Sequence, residues 1–296
     1  MTSRAPARRR ARPERWLPLV PSVLLILVFI AAPVLWSFRA SFTNAALTGR
    51  NARNPSWTGL ENYARMASDA IFPSSVVLTV LFVVGSAILG QNLLGLLIAG
   101  LMARARRPVA AVVGAAVLAA WVLPEIVAAF ACYAYFNKQG TLNQLLAGAG
   151  LAGADWLYAF PMVAVVLANI WRGTAFSMLV YRAALADLPG DVTEAALMDG
   201  AAGWQRLVYI TLPMMRQSIA TNLMLVTLQT LAVFTLIWVM TAGGPSNAST
   251  TLPVLAYQEA FKFGDIGYGT AIASVLIAIG LLFGVVYVRL LQREKP

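Results

Sequence analysis

The chain reads as six long apolar stretches separated by short polar segments. They lie at about residues 16–38, 75–102, 108–136, 160–181, 217–240 and 268–290. Each reaches the roughly 18–20 residues that cross the hydrocarbon core of a bilayer. Helices are expected in all six, because backbone donors and acceptors in lipid have to be satisfied within their own segment. Pro18, Pro21 and Pro33 interrupt the first stretch; prolines are tolerated there where neighbouring groups re-satisfy the freed carbonyls. The expected fold is an all-α integral membrane domain of six helices over residues 16–291. A basic tail at 1–15 precedes it, a short tail at 292–296 follows it, and a polar loop occupies about 184–215.

Composition agrees with that pattern. Hydrophobic residues make up 59% of the chain and charged residues 11%, against about 25% charged in a soluble domain. The mean hydropathy is +0.73. A net charge of +10 would suit nucleic acid, but its placement does not. Arg4, Arg8, Arg9, Arg10, Arg12 and Arg15 precede the first stretch, and most other basic residues sit in short loops. That distribution signals topology and contact with anionic lipid, so no nucleic-acid partner is expected. With the N-terminus in the cytoplasm, fifteen Lys and Arg fall inside and six outside, with Arg172 left within a span. Both termini are therefore expected in the cytoplasm, against the local pull of Arg39, Arg50, Arg53 and Arg65 in the first external loop. The first stretch is too long for a cleaved signal and is read as a retained span. Nineteen arginines against three lysines, with abundant alanine, point to a GC-rich bacterium.

Several chemistries are removed by what is missing. There is no histidine, the commonest metal ligand and general base, and no metal site is read. Cys132 is the only cysteine; it permits no internal disulfide and reads as a packing residue. No G-x-x-x-x-G-K-[ST] phosphate loop is present, so nothing in this chain would bind ATP. With no Ser–Lys dyad in evident register and no paired aspartates inside the spans, an enzyme is not expected.

One polar segment stands out, EAALMDGAAGWQRLVYITLP at residues 194–213. Two short helices are expected there. Asp191 is placed to cap the first after Leu188-Pro189-Gly190, with Glu194 completing a capping box. Val192, Ala195, Ala196 and Asp199 share one face by i, i+3, i+4 spacing, and its small alanines permit close approach to another protein. Gly200 suits the left-handed position past a helix end. The second helix is expected from about Trp204, with Trp204, Leu207, Val208 and Thr211 on one side. Pro213 then marks the return to the membrane. A loop packed on its own bundle is the plain alternative. The order of acid, small residues and glycine before a proline at fixed distance favours a plug for a basic cleft on a soluble partner.

Glu194-Ala195-Ala196, Asp199-Gly200 and Ile210-Thr211-Leu212-Pro213 resemble the EAA loop of permease subunits in ATP-driven, binding-protein-dependent (ABC) importers. The chain is similar in particular to the carbohydrate branch, the maltose-, trehalose- and glycerol-phosphate-type permeases. Further matches lie in the same order: Gly59-Leu60-Glu61-Asn62-Tyr63, Leu123-Pro124, Gly140-Thr141-Leu142-Asn143, Asn169-Ile170-Trp171-Arg172-Gly173 and Gly243-Gly244-Pro245. The resemblance covers about residues 16–290. It implies a maltose-permease-like core whose cytoplasmic coupling helix docks on an ATP-binding subunit, with Glu194 pairing a basic group there. Coupling would rest on Glu194, Ala195, Ala196, Asp199, Gly200 and Pro213. It also implies a second homologous permease, two ATP-binding subunits carrying ATP and Mg, and an extracytoplasmic solute-binding protein or lipoprotein. That protein would be received by loops at 39–74, 137–159 and 241–267. This chain itself would bind no cofactor, and membrane lipid surrounds it.

Charged residues inside spans cost on the order of 2.5–3.5 kcal/mol on insertion scales, and Glu125 and Arg172 are the two clear cases. Counted by helical rise, they lie about 16 Å and about 18–20 Å below the outer ends of their spans, depths that permit a salt bridge. That pair reads either as a buried structural ion pair or as the polar wall of a pathway. The resemblance places cargo contacts on Glu125, Asn169, Arg172, Gly173, Phe176, Gln229 and Thr230. The chain departs from the family at Glu125, where a neutral residue is usual, and at Ala129 and Val233. Carboxylate, guanidinium, amides and an aromatic face suit a hydroxyl-rich sugar. Glycerol-phosphate or another small polar solute is the alternative cargo, and a non-transporting membrane scaffold the alternative class. Gln91, Asn92 and Asn222 read as helix-to-helix hydrogen bonds, and the glycines at 85, 90, 95 and 100 as close-packing positions. Trp16, Trp57 and Tyr287 read as interfacial anchors.

Overall fold

The computed structural model describes residues 19–293. The six arginines of the tail, Trp16, Pro18 and Lys295 lie outside the described residues. Among the described residues, four helices are long and apolar enough to cross a membrane: Val20–Ala40, Ile71–Arg104, Pro161–Ala186 and Ile266–Arg289. Two bent pairs bring the number to six when each is counted as one span, Arg107–Val122 with Glu125–Gly148 at 105° and Arg216–Leu231 with Thr235–Thr241 at 49°. In chain order these are spans 1 to 6. Among the described residues the only β pairing is an isolated antiparallel bridge between Thr43 and Trp57.

Two of the six expected spans are bent. In span 3, Pro124 has no N–H to continue the ladder and forces Leu123 into an extended conformation, φ −58° and ψ 136°. The helix therefore stops at Val122 and restarts at Glu125. Span 5 breaks without proline or glycine. The Ala232 and Val233 amides fall back on tighter bonds to the Gln229 and Thr230 carbonyls, at 3.2 and 3.1 Å. Phe234 leaves the helical region at φ −124°, and the helix resumes at Thr235.

Span 4 runs along span 2, and glycine sets their separation. A Cβ at Gly90 would sit 2.2 Å from the Ile170 side chain, and one at Gly95 would sit 2.5 Å from Ser177 Cβ. Gly85 and Gly100 are different: the first has ordinary room and the second meets nothing within 4 Å. Span 2 widens to a π-helical turn over Val83–Gln91. At its end, Asn92 Nδ2 donates to the Ala87 carbonyl at 2.6 Å.

A polar knot beyond that turn joins three spans. Asn222 Nδ2 of span 5 faces Asn92 Oδ1 at 2.7 Å, Ser177 Oγ at 3.0 Å and Tyr181 Oη at 3.2 Å. Tyr181 also donates to Asn92 Oδ1. Each such bond within a membrane is worth about 0.6 kcal/mol on average. The knot thus fixes register more than it supplies stability. Gln91 Nε2 donates to the Asn169 carbonyl at 3.2 Å. The helix-to-helix reading of Gln91, Asn92 and Asn222 agrees with this geometry.

Apolar packing forms one cluster around Phe82, Cys132, Val165, Ile237 and Met240 and another around Ala99, Met102, Met178, Tyr181 and Met215. Cys132 is a buried packing residue in the first. Span 1 stays apart, with none of its apolar window buried; its Ala32–Ala40 half rests on span 6. The 104–107 turn and the 187–215 loop lie together at one end of the bundle. The opposite end is closed by hydrogen bonds between the 41–70 and 242–267 segments, including Leu47 N to Gly264 O and Gly267 N to Ala45 O, both 2.8 Å. Arg65 pairs there with Asp265 at 2.6 Å and Glu259 at 3.4 Å. Trp57 stacks on Phe42, with ring centroids 5.3 Å apart.

Candidate functional site

The polar loop forms two helical pieces, as its sequence suggests, but with different local chemistry. The first helix is Gly190–Met198 with Pro189 at its N-cap. Asp191 lies inside the first turn and makes no capping bond, so the Asp191–Glu194 capping box is not formed. Proline at the cap already removes one donor, and the helix begins two residues earlier than a cap at Asp191 requires. Its end follows the expected form. Gly200 is left-handed at φ +74°, its N–H bonds Leu197 O at 3.1 Å, and Ala201 N–H bonds Ala196 O at 3.0 Å. That pair of bonds closes a Schellman cap. The second piece starts at Gly203 and runs through a π-helical turn, Leu207–Thr211, to Leu212–Met214 around Pro213.

The expected small face divides. Of Gly190–Met198, only Ala196 is buried. Glu194, Ala195 and Asp199 are exposed, so the two alanines serve different surfaces, Ala195 solvent and Ala196 the bundle. Large apolar side chains stand out beside them: Met198 is 88% exposed, Trp204 71% and Tyr209 75%. Met198 and Tyr209 escaped the sequence reading, which followed the acid and the small residues. The signal available was an apolar side chain inside a segment otherwise polar on that side. Beneath Ala196, a cavity of about 240 Å³ separates the loop from the ends of spans 2 and 4.

Inside the bundle, the expected pathway residues separate into two groups. Glu125 turns to the break in span 5, where Oε1 accepts from Leu236 N at 3.3 Å. Leu236 is in the first turn of Thr235–Thr241, and Glu125 opens its own helix. Two helix N-termini therefore converge on one carboxylate, each offering unpaired N–H groups and the positive end of its dipole. No ion pair joins Glu125 to Arg172. The salt bridge that the helical-rise estimate permitted is thus corrected, because the 105° bend invalidates depths counted along a straight span. Arg172 is half-buried, and its Nε is buried without a hydrogen-bond partner.

Asn169 and Gly173 face span 2. Asn169 Nδ2 donates to Ser86 Oγ at 2.7 Å, and a Cβ at Gly173 would sit 2.3 Å from the Gln91 amide carbon. These two residues hold helices together here. Phe176 meets Trp121 at 6.2 Å between ring centroids. Gln229 is exposed and Thr230 buried, just before the break. An apolar cavity of 580 Å³ lies between span 4 and the second half of span 3, lined by Cys132, Tyr135, Leu167 and Trp171 among others.

Sequence reading missed an aromatic ladder. Phe234, at the break, is 5.7 Å from Trp238 and 4.7 Å from Tyr257; Trp238 and Tyr257 are 4.8 Å apart, and Tyr257 is 5.4 Å from Phe261. The i, i+4 spacings 234/238 and 257/261 were its only trace in the sequence.

Comparison with known proteins places this architecture. Residues 91–296 match the family described as binding-protein-dependent transport system inner membrane component. The trehalose/maltose transport system permease protein MalF of Thermococcus litoralis is 34% identical over 277 residues, covering 93% of this chain and 92% of that protein. The sulfoquinovosyl glycerol transport system permease protein SmoG of Agrobacterium fabrum is 31% identical over 283 residues, covering 93% and 89%. A bacterial ABC transporter that imports the acidic polysaccharide alginate shares the fold at a TM-score of 0.78 and 18% identity, with 96% of each chain covered. The chain belongs to the binding-protein-dependent transport inner membrane family: it is a multi-pass permease subunit and not an enzyme.

Proposed function

We propose that this permease subunit carries a sugar across the inner membrane of a bacterium by alternating access, driven by ATP hydrolysis on separate subunits. The 187–215 loop lies on the cytoplasmic side in this reading, and both termini with it. The loop helix docks in a cleft of an ATP-binding subunit through Glu194, Ala195, Asp199 and the exposed Met198 and Trp204, while Ala196 bears on the bundle. Gly200 and Pro213 set the angles at which the loop leaves and re-enters. A second permease of the same family completes the channel, two ATP-binding subunits hold ATP and Mg, and a solute-binding protein delivers cargo at the opposite end. The observation that carries this reading is the exposure of every residue of Gly190–Met198 except Ala196. A loop made only to pack on its own bundle would bury more than one side chain.

The mechanism follows from differential stabilisation. Closure of the ATP-bound dimer favours one position of the docked helix, and the bundle shifts by as much as that preference allows. The breaks in spans 3 and 5 are the places where the bundle yields, because irregular backbone at membrane depth is tolerated only when buried in protein or lining a cavity. Cargo would pass beside them, with the Phe234–Phe261 ladder offering ring faces to the C–H faces of a sugar and Glu125, Gln229 and Thr230 offering polar contacts. The kinship with the trehalose/maltose permease supports a disaccharide. A second reading, a sugar bearing an acidic group, is favoured by one observation: Arg172 has a buried Nε with no partner.

The test uses the complete complex in proteoliposomes. Glu194→Lys should leave ATP hydrolysis running while uptake is lost; uptake equal to wild type would refute docking through this helix. Neutral disaccharides and sulfonated or phosphorylated sugars are then compared as stimulants of ATP hydrolysis. Glu125→Gln should change the apparent affinity for the active sugar with the assembly intact. Arg172→Gln should abolish any preference for the acidic sugars.

A further inference from the structure

The cavity beneath the loop helix has a lining unlike the rest of the bundle. Arg104, at the end of span 2, and Arg206, in the second loop helix, both border it. Thr193 and Thr211 border it as well, and Gly100, Ala103, Ala196 and Gly203 keep it wide. A Cβ at Gly100 or Gly203 would meet nothing within 4 Å. The volume of about 240 Å³ is several times the roughly 30 Å³ share of a water molecule. No carboxylate lines it: Asp187, Asp191, Glu194 and Asp199, the acids of this loop, all stand elsewhere. Arg206 Nε is buried with no hydrogen-bond partner, and neither arginine forms an ion pair among the described residues. Two guanidinium groups, two hydroxyls and no acid make a site for an anion with several acceptor oxygens.

The position selects the ligand. The cavity is bounded by the ends of two membrane spans, and Leu185, Leu207 and Ile210 give it an apolar flank. Arg106 and Arg107 stand exposed beside it, so the rim attracts anionic head groups.

We propose that this cavity holds the phosphate of an anionic phospholipid from the inner leaflet, bound between Arg104 and Arg206 under the loop helix. The lipid fills the space between the loop and the bundle and so stiffens the element through which the loop pushes on spans 2 and 4. The inference rests on the functional reading above only in placing the loop at the cytoplasmic surface. Its readout needs neither transport nor ATP hydrolysis, so the two can fail separately.

The complete complex is placed in nanodiscs of phosphatidylcholine with phosphatidylglycerol, and native mass spectrometry scores the lipid retained after detergent washing. Wild type should retain phosphatidylglycerol over phosphatidylcholine. The Arg104→Gln, Arg206→Gln double variant should retain about tenfold less, the loss of at least one charge-assisted contact. Arg206→Lys keeps a point charge but not the fork and should fall between them; it also controls for misfolding of the double variant. Arg106→Gln, which does not line the cavity, should stay within about twofold of wild type. Displacement of the lipid by inorganic phosphate would support the phosphate site and assign it to a free anion. Equal retention of both lipids by wild type overturns the proposal. So does unchanged retention in the double variant, including the case where it instead loses its ATP-binding subunit, which would make an acidic protein side chain the occupant.

Discussion

Gly200 offers the sharpest test of how the loop is built. It sits at φ +74° and ends Gly190–Met198 through the Gly200–Leu197 and Ala201–Ala196 bonds. A Cβ placed there meets nothing within 4 Å. Steric contact inside this chain is therefore absent, and the cost of a side chain is the backbone cost of the left-handed region alone. That cost is roughly 1 kcal/mol for alanine and about 2 kcal/mol for a β-branched residue. Converted at room temperature, the capped geometry should lose about fivefold and about thirtyfold in population against competing loop conformations. Asparagine tolerates the left-handed region and should lose little.

Uptake per ATP hydrolysed, measured in proteoliposomes containing the complete complex, should therefore fall in the order Gly, Asn, Ala, Val. Hydrolysis itself should persist, since its chemistry lies on other subunits. The Asn variant separates two explanations. If the loop needs the conformation, Gly200→Asn works. If a partner backbone lies against the glycine, Gly200→Asn fails as badly as Gly200→Val, and the conformational account is refuted. Full coupling in Gly200→Val would refute any role for the cap.

Two further expectations concern stability. Asn222→Leu removes the donor at the centre of the polar knot and its bonds to Asn92, Ser177 and Tyr181, so detergent-solubilised protein should lose about 1–2 kcal/mol; a raised unfolding temperature would show that the knot is a cost rather than a support. Burial holds the Glu259 carboxyl above its usual value of 4.5, Arg65 pulls it down, and Asp69 and Asp265 push it up again. The folded state then binds the proton more tightly than the unfolded chain, so Glu259 costs stability as pH rises through and above 4.5. Glu259→Gln should be more stable than wild type near neutral pH and lose that advantage on acidification below the usual carboxylate range. A variant less stable at neutral pH would show that the Arg65 pair outweighs burial.

The parts legible in the sequence were those fixed by local chemistry. Span positions follow from length and apolarity, the Gly200 cap from a backbone preference, and the family from a motif of adjacent residues. Pro124 was visible, but membrane helices tolerate proline when neighbours re-satisfy the backbone, and whether they do is a tertiary matter. Span 5 gave less warning still, since Leu231, Ala232 and Val233 carry no breaker. The restarted helix finds an acceptor for its Leu236 N–H in Glu125, 111 residues away in sequence.

The same dependence explains the error over Glu125 and Arg172. Sequence reading assigns each intramembrane charge a cost and then looks for the opposite charge at equal depth. A broken helix supplies another kind of partner, a turn of unpaired N–H groups whose summed dipole carries roughly half a positive charge. Two such ends meet at Glu125, one from its own helix and one beginning at Thr235. The carboxylate then accepts from a first-turn N–H that has no partner within its own helix. Arg172 forms no ion pair among the described residues, and its Nε is buried without a hydrogen-bond partner. One hydrogen bond therefore links the two bends, and a shift of Thr235–Thr241 away from Glu125 would leave the Leu236 N–H without this acceptor. The charge expected as a cargo contact thus has a backbone partner at the break in span 5, 111 residues away in sequence.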